Sequence, residues 1–462
     1  MFRLAFLRES AACVLWALHL GVRPESLSGN LHTLPLSPAA WGERKPQQPR
    51  SGRFSSFQRD AERFAEQKKP IMKRHTHLVA TAALLLLVFP AAAVEEASAE
   101  ERPLEGDVEA FLAAPQFHVE PLFDDERFPN ITVTREGTVL ATWGNRHVRA
   151  RRSEDGGKSW GEPITIANPG FQGGGTTVDE TTGDILAFVE VDHPPAPLTI
   201  YRSEDDGKTW HAQEGTSILP NSLGHLPSMH MNEHGITLRH GPHQGRLLRP
   251  TRYYAGGNKR SLWPHHYTNA IYSDDGGKTW QTSEPFPEKG TGEAALAELF
   301  DGRIYYNSRV HWPERPKNTR RRQAWSEDGG KTWKDWSVVE ALPDGHQHRS
   351  YGCMGGLVRL PVAGKDILVF SNLDTDRPKR ERVTVWASFD GGKTWPVKRL
   401  VHDGPSAYSS LTAGRPGTPS EGSIYLHFEA GQGSRVARLN LAWLIEGEPT
   451  GDGEQPAWLH DA

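Results

Sequence analysis

The segment SDDGGKTW, Ser273 to Trp280, occurs with small changes four more times, as SEDGGKSW from Ser153, SEDDGKTW from Ser203, SEDGGKTW from Ser326 and SFDGGKTW from Ser388. Each copy has Ser first, Asp third, Gly fifth and Trp eighth. The chemistry is that of a tight turn running into a strand. The Asp carboxylate accepts hydrogen bonds from turn amides, Gly takes the positive-φ position, and Trp starts the strand and buries a large apolar surface. A single Asp-Gly turn says little. Five copies at blade-like spacing predict a repeat array in which each unit buries its face only against its neighbours.

Composition supports many short strands joined by turns: 36% of the chain is apolar, with 46 Gly, 34 Pro and 15 Trp. A net charge of -4 supplies no basic stripe, so nucleic acid is not expected as a partner. Two cysteines, Cys13 and Cys353, exclude a disulfide framework, and Cys353 reads as a small core residue. His225, His230, His234, His265 and His266 fit no helix-borne metal site and read as pocket lining or surface. No metal or other cofactor is called for.

The segment MKRHTHLVATAALLLLVFPAAAVEEASA, Met72 to Ala99, has a basic start, an apolar run and small residues at cleavable positions. That is the three-part pattern of a secretory signal peptide, and the run from Leu78 to Val88 is shorter than the ~20 residues of a spanning helix. Residues 1–71 are basic and rich in Pro and Ser, and read as a disordered, non-native upstream extension with translation starting at Met72. Export to the periplasm or the exterior is expected, with no transmembrane segment in the mature protein. Residues 100–116 are expected as an acidic linker, 117–446 as the folded array and 447–462 as a tail, the whole a monomer.

Between boxes the chain repeats a hairpin, a loop, a third strand, the box and a fourth strand. ITVTREGTVLATW, turning at Glu136-Gly137, is the first hairpin, and SLTAGRPGTPSEGSIYLHFEA, after the last box, is the sixth. Six four-stranded units predict an all-β, six-bladed β-propeller, its last blade completed by a strand from near Phe117. Strand direction then sorts the residues. The boxes fall on one face, while the starts of first strands and the loops after second strands fall on the other. That second rim collects Arg127, Arg309, Arg380, Glu293, Tyr408, Glu429 and Asp192, with several histidines.

Three arginines around one mouth suggest an anionic ligand bearing a carboxylate, because the guanidinium fork matches that group. A tyrosine beside a glutamate suits nucleophilic attack, since phenol is neutral near pH 7 and needs a base to take its proton. A neutral nucleophile also suits an anomeric carbon that carries a carboxylate, where Asp or Glu would be repelled.

On these residues the chain resembles exo-sialidases of the bacterial neuraminidase type, over about residues 120–435. RFP from Arg127 is similar to that family's Arg-Ile-Pro, which implies the first arginine of a carboxylate-binding triad. GEAALAELFDGRIYYNSR resembles the segment carrying its glutamate, here Glu293, and its second arginine, here Arg309. CMGGLVRLP, ILVFSN and RERVTVWASFDGGKTWP match the fifth blade, with Arg380 as third arginine. GPSAYSSL sets Tyr408 as nucleophile, although the family usually has Asp where Ser410 stands. Glu429 resembles the acid that orients the first arginine.

The resemblance implies a retaining glycosidase releasing terminal sialic acid or a related nonulosonic acid from glycans, with Tyr408 attacking and Glu293 taking its proton. One departure stands out. The family's acid/base aspartate follows a segment resembling Trp143-Gly144-Asn145-Arg146, in which Arg146 joins the substrate-binding set. Here only His147 to Arg152 precede the next box, and none is an acid. Asp192, His193 and His147 are the candidate replacements. The rival expectation is a glycan-binding propeller that keeps the arginine clamp without turnover.

Overall fold

A computed structural model describes residues 103–459, apart from His230, residues 313–318, residues 345–351 and Asp376. The expected extension and signal peptide lie outside the described residues. Six sheets follow one another along the chain, and the first strands of all six line one central channel at Val133, Val178, Thr237, Glu298, Arg359 and Ala413. This is a six-bladed β-propeller. Blade six is finished by Phe117–Phe123, which pairs antiparallel with Ser434–Leu439 and so closes the ring with chain from its beginning.

Four blades have the expected four strands and two have a fifth. In blade three Ser217–Leu219 adds in parallel to Thr279–Thr282, and in blade five Glu448–Pro449 adds to Val397–Pro405. The second addition draws the expected tail into the fold. The expected linker is also docked: Gly106 forms a parallel bridge to Val362, and Asn440 donates to the carbonyls of Ala113 and Ala114 at 3.1 and 3.0 Å.

The core is divided among the seams between blades, as strand periodicity requires, because alternate side chains leave opposite faces. In Ile185–Glu190, Ile185, Ala187 and Val189 pack on blade one with Leu140 and Val148, while Leu186 and Phe188 pack on blade three with Leu247, Ile271 and Trp280. Both faces are buried, which is why these strands read as continuous apolar runs.

The boxes share one hydrogen-bond pattern. In the copy from Ser273, the Ser hydroxyl donates to Asp275 at 2.8 Å and accepts from Gly277 N at 2.9 Å, while Asp275 accepts from the amides of Lys278 and Thr279. Burial acts to raise the Asp205 carboxyl, but Thr209, Ser203 and Lys208 donate to it and hold it at about 2. Trp280 and Trp395 are fully buried, and only Trp280 lies within a strand; the other four precede theirs, so the expectation that the Trp starts the strand holds for one box alone.

Candidate active site

Arg127 sits between the closing strand and Pro129–Val133, flanked by two residues in left-handed backbone, Glu126 at φ 50° and Phe128 at φ 79°. Such conformations cost about 1–3 kcal/mol each for side chains of this size and persist only where contacts impose them. Glu429, ending Ile424–Glu429 in blade six, supplies those contacts. Its carboxylate accepts from Arg127 Nε and Nη2, each at 3.0 Å, from Phe128 N at 3.2 Å and from Tyr408 N at 3.3 Å. Burial works against the charge on Arg127, but Glu429 outweighs it and raises the guanidinium's affinity for its proton.

Tyr408 immediately precedes Ser409–Ala413, the inner strand of blade six. Its hydroxyl donates to Glu293 Oε1 at 2.8 Å, and Glu293 Oε2 accepts from Arg309 Nη1. The guanidiniums of Arg127 and Arg380 lie over the Tyr408 ring, 5.4 and 5.3 Å from its centroid, and Phe128 stacks on it at 5.6 Å. Arg380 also donates to the carbonyl of Gly352 at 3.0 Å. Residues up to about 300 apart in sequence thus meet at one mouth, and the expected set of Arg127, Arg309, Arg380, Glu293, Tyr408 and Glu429 is contiguous. Burial and the nearby Glu293 charge push the Tyr408 phenol above its usual range, so it rests neutral and must lose its proton in concert with any attack.

The remaining candidates are spread around this group. The link between Val139–Trp143 and Val148–Ser153 is a tight turn whose amides at Asn145, Arg146 and His147 all donate to Glu126 Oε2, at 2.8, 2.9 and 3.2 Å. A Cβ on Gly144, at φ +135°, would lie 2.1 Å from the His147 carbonyl, so the turn demands glycine. The Arg146 side chain is exposed. His147 Nε2 bonds Thr165 Oγ1 at 3.2 Å, toward the outer strand of the blade, and so turns away from the mouth. Asp192 is exposed and caps its own loop through His193 N at 2.7 Å. His193 packs edge-on against Phe171 at 5.4 Å, Phe171 packs on Phe128 at 5.2 Å, and the His193 Nδ1 lies 2.8 Å from the Pro194 carbonyl, to which it donates when protonated.

Histidines elsewhere have ordinary structural partners. His225 stacks on Tyr253 at 3.9 Å, and His266 accepts from Arg252 at 2.9 Å, with burial and that guanidinium pushing its imidazole down to about 4. Among the described residues no group of three or more His, Cys, Asp or Glu is arranged to hold a metal ion. Cys353 lies buried beneath the mouth, and burial pushes its thiol up to about 11.

Sequence reasoning missed a second tier of polar groups. Arg321 and Asp344 form a buried ion pair, Asp344 also accepting Val310 N at 2.7 Å and Arg321 reaching the Glu293 carbonyl. Glu190, ending the second strand of blade two, accepts from Ser228 and Met229, and burial lifts its carboxyl to about 7. Glu233, fully buried, meets Ser410. The one available signal was charged and polar residues inside otherwise apolar strands, as in the second strand of blade four, IYYNSRV.

A family model described as a BNR repeat-like domain matches residues 144–420. The chain is 31% identical over 356 residues to a sialidase of Micromonospora viridifaciens, covering 70% of this chain and 52% of that protein. It is 28% identical over 323 residues to a sialidase of Bacteroides fragilis, covering 60% and 55%. The chain therefore spans about half the length of the curated relatives it matches. Among solved structures, the Hadza microbial sialidase Hz136 is similar with a TM-score of 0.54 at 24% identity, covering 69% of this chain and 66% of that one. The intramolecular trans-sialidase from Ruminococcus gnavus follows at 0.53 and 16%, covering 70% and 95%. At these identities the likeness concerns the fold.

Proposed function

The chain belongs to the BNR-repeat sialidase family, and on that premise we propose that it is a retaining exo-sialidase acting on terminal sialic acid or a related nonulosonic acid. The observation that carries this reading is the Tyr408 hydroxyl on Glu293, within a group that also holds Arg127, Arg309 and Arg380. In the first step the Tyr408 oxygen bonds to the anomeric carbon as the glycosidic bond breaks, and Glu293 takes the phenolic proton. In the second, water adds to that carbon as the bond to the Tyr408 oxygen breaks, the proton of the water passing to the group that protonated the leaving oxygen; Glu293 returns its proton to Tyr408, and the sugar leaves. The arginines hold the sugar carboxylate and fix the reacting face, which removes much of the entropic barrier.

The leaving oxygen also needs a proton. Of the three candidates, His193 is the best supported, because it packs through Phe171 and Phe128 onto Tyr408, and its Nδ1 contacts fix the ring. His147 faces Thr165 and Asp192 caps its loop. Arg146 is carried as a substrate contact at the rim. The short turn Gly144 to His147 carries no acid, and this favours a second reading, a glycan-binding propeller with the clamp intact and little turnover. Action outside the cytoplasm as a monomer completes the proposal, resting on the signal-like segment Met72 to Ala99; among the described residues no helix is long and apolar enough to cross a membrane.

The test is release from an aryl sialoside, whose leaving group needs little protonation, beside release from a sialyl-galactoside. The expected result is cleavage of the first, abolished by Tyr408→Phe, and cleavage of the second that His193→Ala slows by about 10²–10⁴-fold, the usual worth of a positioned acid. Binding without release of either would establish the second reading.

A further inference from the structure

Ser410 stands two residues beyond Tyr408, on the same side of the inner strand of blade six. Its hydroxyl accepts from Ile131 N at 3.0 Å and from Asn130 Nδ2 at 3.3 Å, both on the strand that follows Arg127. Its proton goes to Glu233 Oε1, in the segment that enters blade three. The same oxygen accepts from Leu411 N at 3.2 Å. Glu233 is tied in turn to the strand of the base: its amide donates to the Ala294 carbonyl at 2.9 Å, and Asn232 Oδ1 accepts from Ala294 N at 2.9 Å. Ala294 is the neighbour of Glu293 in Thr291–Glu298.

One buried contact therefore joins the strands that carry the clamp, the nucleophile and the base. These belong to blades one, six and four, and no two of them are adjacent along the chain. The Glu233 side chain is completely buried, and its Oε2 has no hydrogen-bond partner among the described residues. Burial pushes its carboxyl well above the usual range, so it serves as a neutral acid whose Oε1 accepts. Bare surface packing would be served as well by an apolar residue, without the desolvation cost of a buried carboxyl.

We propose that Glu233 is a positioning residue for the reaction, holding Tyr408 at hydrogen-bonding distance from Glu293 through Ser410 and the Ala294 backbone. It touches no reacting atom; the carboxyl enters from blade three, to a place where residue 410 offers only a hydroxyl. This rests on the sialidase reading and names a further residue of the same site.

The test is steady-state kinetics of the purified chain on an aryl sialoside, with the folded fraction of each variant measured by circular dichroism. Misplacement of reacting groups by about 1 Å costs up to about 10²-fold in rate. Glu233→Ala and Ser410→Ala are each expected to lower kcat about 10- to 100-fold while KM changes less than about threefold, because no arginine of the clamp loses a side-chain partner. The double variant should be no slower than the worse single one. Glu233→Gln, which keeps the accepting oxygen, should restore kcat to within about threefold of the parent, as should Ser410→Asp placed on Glu233→Ala. Unchanged kcat in Glu233→Ala, additive losses, or losses explained by the unfolded fraction would each overturn the proposal. If the unsubstituted chain releases nothing, the sialidase reading fails first, and that result is seen before any variant is made.

Discussion

Each mouth of the channel gathers arginines, and the two mouths treat them oppositely. At the far mouth, on the box face, Arg239 and Arg415 share Glu180, Arg359 takes Glu105 and Asp366, and Glu298 accepts the amides of Arg239 and His240. Three carboxylates answer the three guanidiniums, and a fourth, Glu298, takes backbone amides. At the near mouth Arg127 pairs with Glu429, Arg309 with Glu293 and the buried Arg321 with Asp344. Arg380 donates to the Gly352 carbonyl, and its guanidinium and that of Arg127 lie over the ring of Tyr408. The same residue type ties carboxylates together at one end of the ring and at the other surrounds the phenol ring of Tyr408.

The largest expected effect that could break this contrast is functional. Arg380→Ala should lower kcat/KM on an aryl sialoside by about 10²-fold, as loss of one buried charged donor commonly does, while Arg239→Ala should leave it within about twofold. Equal losses from both would mean that the mouths are not distinct in role. The next effect is on stability: Arg239→Ala leaves the buried Glu180 with Arg415 alone and should cost about 3 kcal/mol by urea unfolding.

The smallest concerns pH and compares two buried carboxyls of blade two. Burial raises both, but Arg239 and Arg415 hold Glu180 down at about 2, whereas Glu190, with only Ser228 and Met229 donating, rises to about 7. The signs are opposite. Glu180 contributes stability that is present above its unfolded value of about 4.5 and lost as pH falls toward 2. Glu190 contributes stability that is full below about 4.5 and lost as pH rises through 7. Glu190→Gln should therefore flatten the decline between pH 5 and 8, a change of about 2 kcal/mol, and leave the acid limb in place.

What the sequence disclosed follows the reach of its interactions. The boxes are local: Ser273, Asp275 and Gly277 satisfy one another within five residues, so their turn could be read directly from the letters. Blade order and strand direction then carried Arg127, Arg309, Arg380, Glu293, Tyr408 and Glu429 to one rim without any contact being known. Contacts across blades left no such trace. Ser410 with Glu233, and Arg321 with Asp344, pair through the folded ring, and each partner alone looks like a solvated residue or a turn. The direction of the His147 ring, toward Thr165 on the outer side, is likewise set by a contact between strands that the letters do not carry. The docking of residues 103–116 and 447–459 was also illegible, since a bridge at Gly106 and a two-residue strand at Glu448–Pro449 carry no hydrophobic period.

The strand that completes blade six has a mechanical meaning. Phe117 faces Leu439 and Phe123 faces Ser434, so tension applied from the N-terminal side would part these bonds one at a time, as a zip opens, instead of shearing them together. The last bonds to part lie just ahead of Arg127, whose tie to Glu429 would slacken while the other blades were still intact. A chain opened in this way would loosen Arg127 before it lost its shape, and would present Ser434–Leu439 as a bare edge ready to adhere to another strand.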